Sequence, residues 1–587
     1  MANPIGTTTP QSEPLFTSVH GEQKQVANNA GGYVFKLDDM KRALRFLIMG
    51  SESGQYYAKE KDITRDNVTC IDRLIGSGRG VELVQLIKDV SVSRRNVRQD
   101  SLILAYAICA RSNDKDTKKA AYAILSDVCR IPTHLFMFVQ CCETESSSTG
   151  TGWGRAHKRG VCKWYSSFQD RAMKLAELIT KYKRRGEWTH KDLLRLSHVT
   201  SEERSLAFLY RYVAKDLKQA KDFYVKDSSL DEEGRKKLMV IVEYIEACEE
   251  ASVCQNEDEL CYLIERHKLC WEHCNSKWLK SRKVWFKLIP HMGIEALIRN
   301  LGRMTSYGMF AVNSEDEQMV LDRIRTINEV IESMEEENDT EPMETDDVMN
   351  DMPQAVNTVK RRNMIHPFKI LLGLMTYKSG HGEKGHLSWL PNPRIVEALD
   401  KSFYQAFDAV PPTGLKYYLA VDVSGSMSQP VLGSGNIFCS TAAACMMMVI
   451  ARTEENCIIR GFCEEMRGIE IDGSDTLSTV QTKMEKLTFG GTDCAKPMMD
   501  AMECKIKDID VFVVFTDNET WYGKVHPSEA LKQYRMYSER REAKLIVCGM
   551  SATEFTIADN DDPGMLDIAG FDSASPRLIS EFAKGNI

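Results

Sequence analysis

The sequence predicts an α + α/β multidomain fold: a helical half up to about Val410, then a doubly wound parallel sheet. Three observations carry this reading. Apolar residues recur at helical spacing through the first half, where strand-like alternation is scarce. From Tyr417 the grammar changes, and apolar strand runs alternate with helical stretches. The chain is also long, 587 residues, which at about 150 per domain leaves room for three or four domains or fewer large ones.

Residues 1–30 read as a flexible N-terminus. They lack a charged region followed by an apolar stretch, so no signal peptide is expected. Val81 to Val90 then places Leu83, Val84, Leu86, Ile87 and Val90 on one helical face. Ser101 to Ala110 is apolar nearly all round, which predicts a buried helix. Asp114 to Cys129, Ser166 to Tyr182, Ser201 to Lys215 and Arg235 to Glu249 repeat the rhythm across short polar joints. Such a run suggests helix pairs stacked as an α-solenoid; with no self-similar repeat visible, a plain helical bundle fits as well. Met334 to Asp351 is acidic and contains Pro342, so a disordered loop is expected over 334–351.

In the second half, strands are expected at Tyr417–Val421, Cys457–Phe462, Val511–Phe515 and Leu545–Met550. Helices are expected at Ser440–Arg452, Asp493–Cys504, Ser528–Arg541 and Arg577–Ala583. Apolar runs of this kind belong to parallel strands covered on both faces. The longest apolar run, Ala442 to Ala451, is too short to span a bilayer, so no membrane partner is expected. Eighteen scattered cysteines, many in apolar helical stretches, read as small hydrophobes in a reducing cytoplasmic or nuclear setting.

The first strand of this half runs into Asp422-Val423-Ser424-Gly425-Ser426. Thr492 follows a Gly-Gly pair before a helix, and Asp517 ends a later strand. Ligands gather at the carboxyl ends of strands in doubly wound sheets. Two carboxylates and three hydroxyls form an all-oxygen set that suits a hard divalent cation, Mg2+ best; the same groups would also serve as helix caps. The D-x-S-x-S, T, D pattern resembles the metal-ion-dependent adhesion site of von Willebrand factor A domains. That resemblance implies that Ser424, Ser426 and Thr492 reach the ion directly or through water, while Asp422 and Asp517 orient ligands and waters. No Gly-x-Ser-x-Gly elbow or nucleophile–base pair is apparent, so the domain reads as a binding module and not an enzyme.

The chain carries a formal net charge of −8, which excludes a uniformly basic nucleic-acid coat. Trp153 to Arg195 departs from that average, with twelve Lys and Arg against four Asp and Glu, a net of +8 over 43 residues. Trp153, Trp164, Tyr165, Tyr182 and Trp188 are interleaved. Phosphates call for cations and unstacked bases for aromatic faces. A second basic cluster comprises Lys277, Lys280, Arg282, Lys283 and Lys287 beside Trp278, Trp285 and Phe286. Solvated charges over an aromatic core would explain many of these residues one by one; the belt as a whole favours nucleic acid. Lys191 and Arg195 are four apart and share a helix face, with the leucines on the other. Ile75 to Gly80 is glycine-rich but follows a helical pattern, which argues against a phosphate loop. Cys261, His267, Cys270, His273 and Cys274 lack zinc-knuckle spacing.

Arg130-Ile131-Pro132-Thr133-His134-Leu135-Phe136, Thr180-Lys181-Tyr182-Lys183, His190 to His198, Arg299 to Gly302, Ile365 to Phe368, Leu419 to Ser424 and Phe515 to Thr520 together resemble the TROVE family of Ro ribonucleoproteins. The resemblance spans about Gly32 to the C-terminus. It implies a HEAT-like helical ring over 31–412, closed by a von Willebrand factor A-like domain over 413–587. It further implies binding of Y RNAs on the outer surface. The hole would take single-stranded 3′ ends of misfolded noncoding RNAs, in RNA quality control and stress survival. His190 falls on the motif that contacts Y RNA in the family, with Lys191 and Arg195 as its neighbours. Arg171, Lys174, Lys181 and Lys183 are candidates on charge. A monomer is expected. A competing expectation is a metal-dependent scaffold that grips a protein ligand through the A-type domain.

Overall fold

The computed structural model describes residues 8–15, 25–50, 60–147, 152–224, 231–327, 365–382, 386–407, 410–430, 437–487 and 490–587. The acidic segment 334–351 lies outside them.

The helical half follows the predicted rhythm, with helices at Gly80–Val92, Asp100–Arg111, Arg204–Ala214 and Glu232–Val253. Two expected helices are broken. The stretch 114–129 divides into Lys115–Ala123 and Leu125–Val128. The stretch 166–182 divides because the helix Arg155–Ser166 ends in the middle of the basic belt. A 3-10 turn, Gln169–Arg171, then leads into Ala172–Lys181. The broken helix turns Arg171 and Lys174 outward, both exposed, while Leu175, Leu178 and Ile179 stay buried. Among the described residues no helix is long and apolar enough to cross a membrane.

Strands number β1 (Gln25–Ala27), β2 (Tyr33–Lys36), β3 (Arg184–Arg185), β4 (Trp188–Thr189), β5 (Tyr417–Asp422), β6 (Cys457–Phe462), β7 (Met466–Arg467), β8 (Val511–Thr516), β9 (Lys544–Gly549), β10 (Phe555–Thr556) and β11 (Met565–Ala569). The main sheet has the order β11-β9-β8-β5-β6-β7. All its pairings are parallel except β6–β7, an antiparallel edge that corrects the expectation of a wholly parallel sheet. That edge strand is two residues long, too short to leave a periodic signal in sequence. Side chains alternate between two cores: Tyr417, Leu419, Val421, Val511, Val513 and Phe515 face one, Tyr418, Ala420, Phe512 and Val514 the other. The first of these cores is continuous with that of the helical half.

Both ends of the helical run rest on the α/β half. At the start, Arg45 pairs with Asp567 and Arg95 with Asp572 at 2.5 Å. At the end, Phe368 meets Phe571 with ring centres 4.5 Å apart, and Asp400 accepts from the Leu477 amide at 2.6 Å. His366 also reaches the Arg95 carbonyl at 3.0 Å. The helical path thus closes through the α/β half. Of the N-terminus expected to be flexible over 1–30, the described residues 8–15 and 25–30 are held against the rest of the fold. β1 pairs with β2, which pairs with β10, and Gln11 is fully buried. Its polar sequence hides this order because the partners lie some 500 positions away, as in the Gln11–Asp493 bond.

Candidate nucleic-acid interface and candidate metal centre

Three of the belt's cations, Arg171, Lys174 and Lys181, meet on an open cavity of about 590 Å³. Its wall brings together Arg130, Arg171, Lys174, Lys181, Lys268 and His291, contributed by separate helices and turns. Trp164, Phe168, Tyr182 and Tyr244 supply aromatic surface beside them. Two of the cations already lie against rings: Arg171 sits 5.4 Å from the Phe168 centroid and Lys181 5.2 Å from that of Tyr182. Such contacts keep a cation in place while leaving its other face for an anion. Burial pulls the Arg130 guanidinium down from its usual value, helped by neighbouring Arg94. Burial pulls the Lys181 ammonium down, but Glu272, 3.7 Å away, together with Tyr182 and Cys270 raises it overall.

The cavity thus gathers three of the expected RNA-binding residues, Arg171, Lys174 and Lys181, and adds Arg130, Lys268 and His291. Arg130 heads a sequence run noted above for its family resemblance; Lys268 and His291 carried no local signal. Lys183, Lys191 and Arg195 are exposed but lie outside the cavity wall. Lys183 precedes the β3–β4 hairpin, and the other two share the outer face of the helix His190–Ser197, over buried Leu193 and Leu194.

His190 is the correction. It is 3% exposed, its Nδ1 lies 2.7 Å from the Tyr165 hydroxyl, and its ring meets Phe136 at 4.9 Å. Burial pushes its imidazole down to about 3, so it is neutral. A ring in this position packs the helix start from inside the fold, with its Nε2 buried and without a hydrogen-bond partner. It is the first residue of a short helix capped by Thr189 and Asp192, whose reciprocal bonds fix the turn.

The second basic cluster differs from the belt. Lys283 pairs with Asp258, Lys287 with Glu265 at 2.7 Å and Arg282 with Asp316 at 3.5 Å. Its charge is largely spent within the fold. By contrast, Arg155, Arg159, Lys163, Lys183, Arg184, Arg185, Lys191 and Arg195 are exposed and form no ion pair among the described residues.

Cys270 and His273, weighed above only as zinc ligands, form a hydrogen-bonded pair. Cys270 Sγ lies 3.3 Å from His273 Nδ1, and His273 Nε2 lies 3.2 Å from the Thr180 hydroxyl. Burial raises the thiol and lowers the imidazole to about 4, so both stay neutral and no thiolate nucleophile forms.

At the sheet's carboxyl edge, Asp422, Ser424, Ser426, Thr492 and Asp517 are all buried. Asp422 accepts from the Ser424 amide at 2.8 Å and from the Thr516 hydroxyl at 2.6 Å. The Ser424 and Ser426 hydroxyls are 3.1 Å apart. The Gly425 amide bonds the Gly490 carbonyl at 3.1 Å, tying the serine loop to the loop before Thr492. The Thr492 carbonyl in turn accepts from the Trp521 amide at 3.1 Å, just past Asp517. Asp517 accepts from the Glu519 amide at 3.1 Å, but its buried Oδ2 has no partner. Burial raises Asp422, Asp517 and Glu519; for Asp517 the negative charges of Asp422 and Glu519 add to it. An orphaned carboxylate oxygen among acids and hydroxyls fits a hard cation. Among the described residues no three His, Cys, Asp or Glu form a metal-holding group, so the hydroxyls are essential to any such set.

Residues 26–414 match the family model of the TROVE domain, and residues 416–583 that of the Ro60 vWA domain. The chain is similar to "RNA-binding protein RO60" of Caenorhabditis elegans, 34% identical over 648 aligned positions, covering 98% of this chain and 95% of that protein. It is similar to the protein of the same name from Deinococcus radiodurans, 33% identical over 588 positions, covering 100% and 98%. Among solved structures it resembles the Deinococcus radiodurans RO (RSR) protein, with a TM-score of 0.62, 29% identity, and coverage of 94% of this chain and 100% of that one.

Proposed function

This chain belongs to the TROVE family, and on that premise we propose that it binds small noncoding RNAs, with unpaired 3′ ends entering the cavity at Arg171 and Lys174. The observation that carries this is the gathering of cations from separate helices and turns around aromatic faces in one opening. Lysine and arginine bind phosphate without sequence preference, and rings accept any unstacked base. Selection then comes from shape: a tail enters where a duplex does not fit. The exposed cations of the hairpin and of the helix His190–Ser197 form a second basic face. That face is suited to the folded body of a Y RNA. The role that follows is capture of misfolded noncoding RNA in quality control and stress response, by a monomer in the cytoplasm and nucleus. No catalytic step is required of it.

The test is binding of one hairpin RNA with and without a single-stranded 3′ tail across a salt series. Tailed RNA binds more tightly and its affinity falls steeply with salt; equal binding of the tailless form contradicts the reading.

We further propose that the A-type domain holds a divalent cation, Mg2+ by its donor chemistry. Ser424, Ser426 and Thr492 would serve as direct or water-mediated ligands, and Asp422 and Asp517 would orient them. When bound, the ion neutralises the buried acids and offers a coordination position to a carboxylate of a protein ligand. The orphaned Asp517 oxygen favours this second reading, a metal-dependent protein scaffold, as an addition to RNA binding.

A further inference from the structure

We propose that the N-terminal arm is part of the metal centre's support: Gln11, Asn28 and Asn29 fix the loop carrying Asp517 and Glu519 and so set how tightly that loop holds a divalent cation. The inference rests on the metal reading above.

The arm reaches the loop through a dense set of buried bonds. The Gln11 side-chain amide donates to Asp493 Oδ1 and to the Val525 carbonyl, each at 2.7 Å, and its side-chain carbonyl accepts from the Thr520 hydroxyl. Its backbone is held too: the Gln11 amide donates to Gly523 at 2.9 Å and its carbonyl accepts from Tyr33 at 2.8 Å. Asn28, 6% exposed, donates to the Asn518 carbonyl at 3.2 Å and the Thr520 carbonyl at 2.7 Å. Asn29 donates to Glu519 Oε1 at 2.7 Å, and the Ala30 amide to Oε2 at 3.0 Å. Between the two acids, Asn518 has φ +66°, a left-handed conformation that asparagine adopts more readily than most residues. Asn28 grips the carbonyl of that residue. The approach is close enough that a Cβ on Gly32 would stand 1.8 Å from the Thr520 carbonyl oxygen.

Groups bonded directly to metal ligands orient them, and their loss typically weakens metal binding 10- to 100-fold; the arm acts one step further out, on the loop that carries Asp517. Linkage also demands the reverse effect: an ion that prefers the fixed loop must stiffen the arm.

The experiment is Mg2+ titration by calorimetry on the full chain, wild type against Asn28→Ala and Asn29→Ala. Asn560→Ala serves as control, because it bonds the Lys36 carbonyl at 3.0 Å without touching the loop. The two arm variants are expected to bind Mg2+ about tenfold more weakly or worse and the control as wild type does. In wild type, hydrogen exchange at residues 25–36 should slow when Mg2+ is added, a readout that needs no variant to fold. Wild-type binding with unchanged variants and unchanged exchange overturns the arm's role alone. Absence of Mg2+ binding by wild type overturns the metal reading and the arm's role with it.

Discussion

His190 starts the helix His190–Ser197 with its ring wedged against Phe136 and bonded to Tyr165. Truncating it leaves a gap and an unpaired buried hydroxyl. His190→Ser should therefore lower stability by about 1–3 kcal/mol, with RNA affinity falling only as far as the neighbouring hairpin loosens. An unchanged Tm with a large loss of Y RNA binding would instead restore a direct contact. The imidazole also has a pH signature. Its folded value of about 3 lies below the ordinary 6.5, so between those limits the unfolded chain binds the proton and the folded chain does not. This contribution to stability is intact above about pH 6.5 and is lost as pH falls, with a slope of up to about 1.4 kcal/mol per pH unit for one group. Denaturant titrations from pH 7 to 4 should show a shallower acid limb in His190→Ser than in wild type, and parallel limbs would contradict the assignment. In the sequence, His190 and His198 both look like flanking histidines beside cations. Burial separates them, since His198 is an exposed left-handed C-cap with φ +58°. That contrast depends on Phe136 and Tyr165, which no local pattern points to.

Between elements, the contrast that matters is the belt against the cluster at 277–287. Both have high charge and interleaved aromatics in sequence, yet the second finds acids for three of its five cations, Asp258 and Glu265 on the helix Glu257–His267 and Asp316 on Glu315–Arg325. In the belt, Lys174 meets Glu177 and Lys181 meets Glu272, while eight exposed cations form no ion pair among the described residues. Reversing charge at Arg171 and Lys174 should weaken tailed RNA at least tenfold and flatten the salt dependence. The same change at Lys283 and Lys287 should leave affinity within about twofold while lowering stability slightly, because exposed pairs are worth only ~0–1 kcal/mol each. Equal losses in filter binding would mean that charge counts and placement does not. The long helices and the four longest strands of the sheet were legible from periodicity, because each buries its own apolar face. The two-residue strands β3, β4, β7 and β10 were not, since they exist only through their partners. The strand-end residues Asp422, Ser424, Ser426, Thr492 and Asp517 were legible as a group because each sits at a fixed offset from a strand or helix start.

At the scale of the whole chain, a helical path begins and ends on the α/β half, and packing between its helices gathers what sequence scatters. Arg130, Lys181, Lys268 and His291 are up to 161 positions apart and share one wall. No window of sequence contains that wall, which is why the belt could be read as basic but not as an opening. The contacts of Gln11 and Asn28 are hidden for the same reason, their partners being at the far end of the chain. The account stands on that wall being where unpaired RNA enters. The most direct measurement is photo-crosslinking of a tailed RNA with 4-thiouridine at its 3′ end, followed by mapping of the attached peptides. Adducts are expected within 164–182 and around Lys268, and lost when the tail is removed; adducts confined to the cluster at 277–287 or to the α/β half would contradict entry at that wall.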